Sequence, residues 1–542
     1  MPGDKQAVIR CMPAISCSTA SARTAPLKHP VASLLPATEQ LLQQGGDARV
    51  VIDPASGFTR YGCTYRPDPE LLAFGSSTAS IISEAAFDAA DALRERLVQA
   101  LYAGTDPETI YGAELERIRR EFLRMSHLDE LPGLECIFSA SGTDLHLLAS
   151  LWLCSAQQTP SVIIMVDPAE TGSGVSTALR GRHFGSCSIF GTPVQPDTAL
   201  IATAMTPAIV NIALRDLSGN LRPLDEIDAE MAEATERAIR AGCRVLLIPI
   251  DVSKTGIMAP SPSAVMTLYQ RYRDRLDVMV DACQFRLSNA TLRCYLEQGY
   301  MVALTGSKFL SGPTFSAMLL LPRAAAARLA QHPAPAELAA YSSRIDWPEG
   351  WVAARYLNRQ HNFGLLLRLE AALEEFRRFC AVPETLAAAF IDRFSAAISR
   401  HTERWSEWQW LSPPPLRRAP LRNDDSWDSR QTIFPFLLFH PGDVQKKTPL
   451  SQEETARIYR QLRLPQAGGS PIATARCELG QPVPCGFVNA IPVSVLRLCL
   501  SARLLVEAAQ DADGHGQAVI ARALTVLDKT YQILLSGGST SD

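Results

Sequence analysis

From about residue 130 the chain alternates short apolar runs with longer amphipathic stretches. The runs Cys136–Ser139, Ser161–Val166, Ser186–Phe190, Ile209–Leu214, Arg244–Ile250, Asp277–Val280, Met301–Thr305 and Ser316–Leu321 have the length and composition of strands. Between them, segments such as Leu224–Ala241 and Ser263–Arg275 repeat apolar residues at helical spacing. Near-continuous apolar strands separated by helices predict an α/β fold with a mostly parallel sheet covered on both faces. Ligands of such sheets bind at the carboxyl ends of the strands, so polar residues that directly follow a run matter most.

The pattern changes after Pro322. A long helical region is expected over Trp351–Arg400, then a Trp/Pro/Arg-rich loop over 405–430 and a strand at Thr432–Phe439. A Pro/Gly-rich stretch (467–486), a strand at Val495–Leu500 and a final helix over Arg503–Leu535 complete what reads as a smaller α+β domain. The expected organisation is a flexible N-terminal arm (1–33), a helical segment (34–125), a large domain (126–330) and the small domain (331–542). The arm is Ser/Thr/Ala/Pro-rich, nearly free of acids and without the apolar core of a signal peptide.

Length and composition narrow the function classes. A chain of 542 residues exceeds a single core. A net charge of −4 argues against a nucleic-acid surface, and no uninterrupted apolar stretch reaches the ~18 residues of a membrane span. The 13 cysteines are odd in number and never form C-x-x-C; Cys136, Cys154, Cys243 and Cys499 sit in apolar runs. That usage fits a reducing cytoplasm better than a disulfide framework.

Four strand ends carry candidate chemistry. Ser141-Gly142-Thr143 closes one strand and opens a helix, where free N–H groups and hydroxyls suit a phosphate; it also reads as an ordinary helix cap. Asp281 ends the apolar run Val-Met-Val-Asp, a costly place for a carboxylate without a cationic partner such as a protonated pyridine. Lys308 follows the next strand; a desolvated amine there has a lowered pKa and forms a Schiff base readily. Thr305 and Ser307 beside it add hydroxyls for a phosphate. Asp251 and Ser253 follow the strand ending at Ile250 and face the same crevice.

In this order the motifs resemble those of fold-type I pyridoxal-5′-phosphate (PLP) enzymes, the aspartate aminotransferase superfold, nearest to the class V aminotransferase and cysteine desulfurase-like branch. The resemblance covers roughly residues 130–325 and rests on Gly142-Thr143, on Asp281-Ala282-Cys283-Gln284, and on Ser307-Lys308 before Gly312-Pro313. It implies a seven-stranded-type large domain, PLP on Lys308, Asp281 at the pyridine nitrogen, Gln284 at the phenolic oxygen, and a homodimer. The branch's ring-stacking histidine is missing, and Glu170 or Thr171 would lie over the ring instead. The cysteine loop of desulfurases is not recognisable.

The resemblance also implies that a small-domain arginine holds a substrate carboxylate, with Arg497 or Arg476 as candidates and Arg60 at the N-terminal mouth. The expected activity is that of a transferase or lyase on an α-amino acid, through external aldimine and quinonoid intermediates. Carbon–carbon bond formation through a γ-elimination-derived quinonoid is an alternative, and a non-catalytic binding protein on the same fold is another. No P-loop, dinucleotide fingerprint or metal-ligand spacing is present.

Overall fold

The computed structural model describes residues 34–153, 159–201, 207–442, 447–466, 470–511 and 515–537; the expected arm and Cys154 lie outside them. Twelve strands are described in chain order: β1 (Leu71–Phe74), β2 (Glu135–Ser139), β3 (Ser161–Val166), β4 (Ala208–Ile212), β5 (Arg244–Ile248), β6 (Leu276–Ala282), β7 (Met301–Thr305), β8 (Ala317–Leu321), β9 (Trp408–Trp410), β10 (Ile433–Leu438), β11 (Arg476–Val488) and β12 (Ile491–Cys499). They form a seven-stranded sheet, β2-β8-β7-β6-β5-β3-β4, and a five-stranded sheet, β1-β11-β12-β10-β9. In the larger sheet only β8 runs antiparallel to its neighbours, so the carboxyl ends of the other six strands open on one edge. This is the mostly parallel α/β sheet that the apolar runs predict.

Its strands are apolar on both faces because both faces are covered. Ile164, Leu247, Val278, Val280 and Val302 enter one core, while Ile163, Leu246, Met279, Met301 and Leu319 enter another. The two-residue alternation of a strand assigns neighbours to opposite cores. Neither face offers water to an ionised group, which leaves the strand ends.

Four sequence expectations change. Ser186–Phe190 is not a strand: it lies between Gly185 and Gly191, and Ser188 closes a tight turn on Thr192 through backbone (2.8 Å) and side-chain (3.2 Å) hydrogen bonds. The region Trp351–Arg400 is two helices, Phe363–Cys380 and Glu384–Thr402, divided at Pro383, which lacks the N–H to continue the first. The final helix is also two, Ala502–Gln510 and Gln517–Gly537. Most of 467–486 belongs to the 13-residue β11, despite Pro482 and Pro484. β1 pairs only with Arg476–Leu479, so those prolines fall where β11 is an open edge, beside the register shifts in its pairing with β12.

Buried arginines join the two sheets. Arg418, from the loop before β10, forks onto Asp251 after β5 at 2.7 and 2.9 Å, and Tyr295 Oη donates to the same carboxylate at 2.7 Å. Arg286, after β6, donates to Thr432 Oγ1 and Leu500 O, both at 2.8 Å. Removing one partner of a buried pair leaves the other charge unmatched, so Arg418→Met should destabilise the fold by about 3–5 kcal/mol. Urea unfolding of the variant against the wild type measures this; an unchanged midpoint would mean the pair is not needed to dock the loop.

Candidate active site

The turn bearing Lys308 is held from below. A Cβ on Gly306 or Gly312 would lie 2.5 or 2.7 Å from Ala372 Cβ, so these glycines let the turn rest directly on the helix Phe363–Cys380. Phe309 stacks on Trp427 (5.1 Å, 8°), packs edge-on against Phe379, and lies under the Arg286 guanidinium at 5.2 Å. With Phe309 locked inward, Lys308 is turned toward the strand ends. Its amine makes no hydrogen bond or ion pair among the described residues, and its charge acts on both Lys254 and Cys283.

Asp281 is a carboxylate whose charge, like that of Lys308, acts on Cys283. Its Oδ1 accepts from Cys283 N at 3.1 Å, and its Oδ2 has only His146 Nε2, at 3.5 Å. His146 is fixed by an Nδ1 contact of 2.7 Å to Gly142 O, and its Nε2 is buried without a hydrogen bond. The sequence reading missed His146. The available signal was its position four residues after Gly142 on the helix that the Ser-Gly-Thr turn opens, which carries a side chain back over the first turn.

That turn is built as expected. Ser141 caps the helix Gly142–Leu148. A Cβ on Gly142 would stand 2.8 Å from Cys283 Sγ, so only glycine brings this backbone so close to β6. The segment after β3 closes over it: Cβ atoms on Gly172 and Gly174 would sit 3.7 Å from Thr143 Oγ1 and 3.0 Å from Thr143 Cγ2. Arg49, also unforeseen, donates to Thr143 Oγ1 and Ser141 Oγ at 3.2 Å each while paired with Asp47 at 2.6 Å. Burial, and then the Asp47 carboxylate, push the buried Asp144 up to about 7 against the pull of Arg49.

The remaining predicted residues separate into two groups. Thr305 donates to Cys283 O at 2.6 Å, and the buried Ser307 hydroxyl makes no hydrogen bond among the described residues. Gln284 lies beside Asp281 but donates to Ser77 O at 3.1 Å and accepts from Arg286 at 3.4 Å. Glu170 is buried and accepts from Ser253 Oγ (2.7 Å), Thr255 Oγ1 (2.8 Å), Thr255 N (3.2 Å) and Arg215 Nε (3.4 Å). Ser253 and Glu170 therefore brace each other, and Asp251 is spent on Arg418 and Tyr295. Three residues that end turns after β5, β6 and β7, Val252, Phe285 and Ser311, hold positive φ (64°, 53° and 66°). Such backbones cost about 1–3 kcal/mol each and are kept where the surroundings dictate them.

Among the arginine candidates, Arg497 is fully buried. It donates to Lys254 O (3.2 Å), Thr78 Oγ1 (2.9 Å) and Gln481 O (2.5 Å), while its Nε has no partner and no carboxylate pairs with it among the described residues. Burial pulls its guanidinium below the usual range. Arg476 instead pairs with Asp68 at 2.6 Å on a part-exposed edge. Arg60 is exposed, and its carbonyl accepts from Gln481 Nε2 at 3.3 Å. Burial pushes the Cys63, Cys136, Cys283, Cys477 and Cys485 thiols up, so none of these is poised as a thiolate.

The raised Asp144 gives a pH prediction. Between about pH 4 and about pH 7 the folded chain keeps a proton that the unfolded chain releases, so stability from this group is lost as pH rises across that window. Asp144→Asn should therefore gain thermal stability relative to the wild type at about pH 8 compared with about pH 5. An identical difference in melting temperature at both pH values would contradict the raised value.

No family model and no curated protein matches the chain. Solved structures do: the cysteine desulfurase CsdA from Escherichia coli is 13% identical with a TM-score of 0.45 over 86% of this chain and 95% of that one. Oryza sativa TDC with PLP and tryptamine is 12% identical with a TM-score of 0.47 over 85% and 84%. A NifS-like protein is 10% identical with a TM-score of 0.49 over 84% and 99%. At these values the likeness says nothing of the reaction.

Proposed function

We propose that this chain is a PLP-dependent enzyme acting on an α-amino acid, with an aminotransferase-like or lyase-like outcome. One observation carries the reading: a lysine amine without a hydrogen bond or ion pair among the described residues, a buried carboxylate with an open acceptor and a Ser-Gly-Thr helix start lie at the ends of β7, β6 and β2. PLP, when bound, supplies an electron sink for charge developing on a substrate carbon.

The residues fit that group. Lys308 would carry it covalently and, once released by substrate, move a proton at the substrate Cα. Asp281 Oδ2, which has no donor closer than His146 at 3.5 Å, would face a protonated ring nitrogen and keep it cationic. The backbone N–H groups of Gly142 and Thr143 and the Ser307 hydroxyl would hold the phosphate, with Arg49 beside them. Arg497 would take the substrate's α-carboxylate, the anion that its unpaired Nε lacks. Homodimerisation and a cytoplasmic location belong to the same reading; the described cysteines, none of them in a disulfide, speak for the latter.

Borohydride reduction of protein purified with PLP, followed by peptide mapping, should place the adduct on Lys308, and Lys308→Ala should lose it. An adduct on Lys254 would overturn the assignment. Asp281→Asn should keep PLP bound but lower turnover by about 10²-fold or more, since the ring nitrogen loses its counter-charge. An unimpaired variant would show that the nitrogen is served by another group.

A further inference from the structure

Lys254 is unused by the proposed chemistry. Among the described residues its amine has one hydrogen-bond partner, Ala169 O at 3.4 Å, and the charges of Arg497 and Lys308 both act on it. Its own carbonyl accepts from Arg497 at 3.2 Å, so the two residues adjoin. The acidic groups facing it are Glu170 and Asp167. Glu170 is taken by Ser253, Thr255 and Arg215, and Asp167 Oδ1 caps Ala169 N at 2.8 Å. Neither lies within ion-pair distance of Lys254.

Two neighbouring cations that share the field of Glu170 but have no carboxylate in direct contact among the described residues are costly in a buried site. Burial, and then Arg497 and Lys308, bring Lys254 down to about 8, with Glu170 and Asp167 opposing. Under the proposed function, Lys308 is neutralised by the cofactor and Arg497 by the substrate's α-carboxylate. Lys254 is then the cation left over, adjoining the α-carboxylate site.

We infer that the substrate is an acidic α-amino acid, with its α-carboxylate on Arg497 and a second anionic group, at the reach of an aspartate or glutamate side chain, on Lys254. This rests on the PLP reading above.

The test titrates the PLP-loaded protein with L-aspartate, L-asparagine, L-glutamate and L-glutamine, following the absorbance of the bound cofactor. At least one acid should bind about tenfold or more tighter than its amide, as a close charge pair in a closed site provides. Lys254→Met should bring that ratio close to one, and Lys254→Arg should keep part of it. Equal affinities for acid and amide in the wild type would overturn the inference, as would an acid preference undiminished in Lys254→Met. Failure of the underlying reading looks different: borohydride would then trap no PLP adduct on Lys308, whereas an adduct on Lys308 with no spectral response to any of the four would overturn the inference alone.

Discussion

The dryness of both faces of the seven-stranded sheet governs the rest of the structure. Strands such as β3 and β7 send alternate side chains into two apolar cores, so an ionised group along them would be stranded. Charge is thereby driven to the carboxyl edge, where Asp281 sits at the end of β6, just before Ala282, and Lys254 and Lys308 follow β5 and β7. The same exclusion explains the care with which that edge is built: glycines where backbone meets backbone, and non-glycine residues in left-handed turns after three successive strands.

Among the described residues, three fully buried arginines without carboxylate partners differ in how their donors are filled. Arg368 donates to the carbonyls of Phe315, Leu42, Gln44 and Gly45, and Arg286 to those of Thr432 and Leu500 together with hydroxyls. Each fills its donors with the protein's own dipoles; burial lowers both to about 10. Arg497 does not, for its Nε stays unpaired beside a second cation. Burial alone would not have separated the three; the account of donors does.

Much of this could be read in the residue order, and the failures have physical causes. The apolar runs of the large sheet were legible because a strand buried on both faces needs no alternation to be noticed. Ser186–Phe190 misled because a short apolar run between glycines fits a turn equally well. β11 was hidden by prolines that an edge strand tolerates. At the site, Asp281, Lys308 and the Ser-Gly-Thr turn stood out because each ends or closely follows an apolar run. Asp251 and Ser253 share that position, yet their side chains are spent on Arg418 and Glu170, a pairing that local sequence cannot reveal. Arg49 and His146 were missed for the converse reason: one comes from a short helix far back in the chain (Ala48–Val50), the other from the inner face of a helix.

The distance along the chain between those contributors has a consequence for how the protein is made. The large sheet is complete once Leu321 has been synthesised, but the pocket above it is not. Thr78 waits for Arg497, which lies 419 residues later, and the loop after β5 waits for Arg418, 167 residues after Asp251. Contacts of such separation are among the slowest to form, because the intervening chain must be ordered first. During synthesis, then, the polar edge of a finished sheet stands open to water until nearly the whole chain has emerged. The arginines of the last third of the chain, Arg418 and Arg497, are what close it.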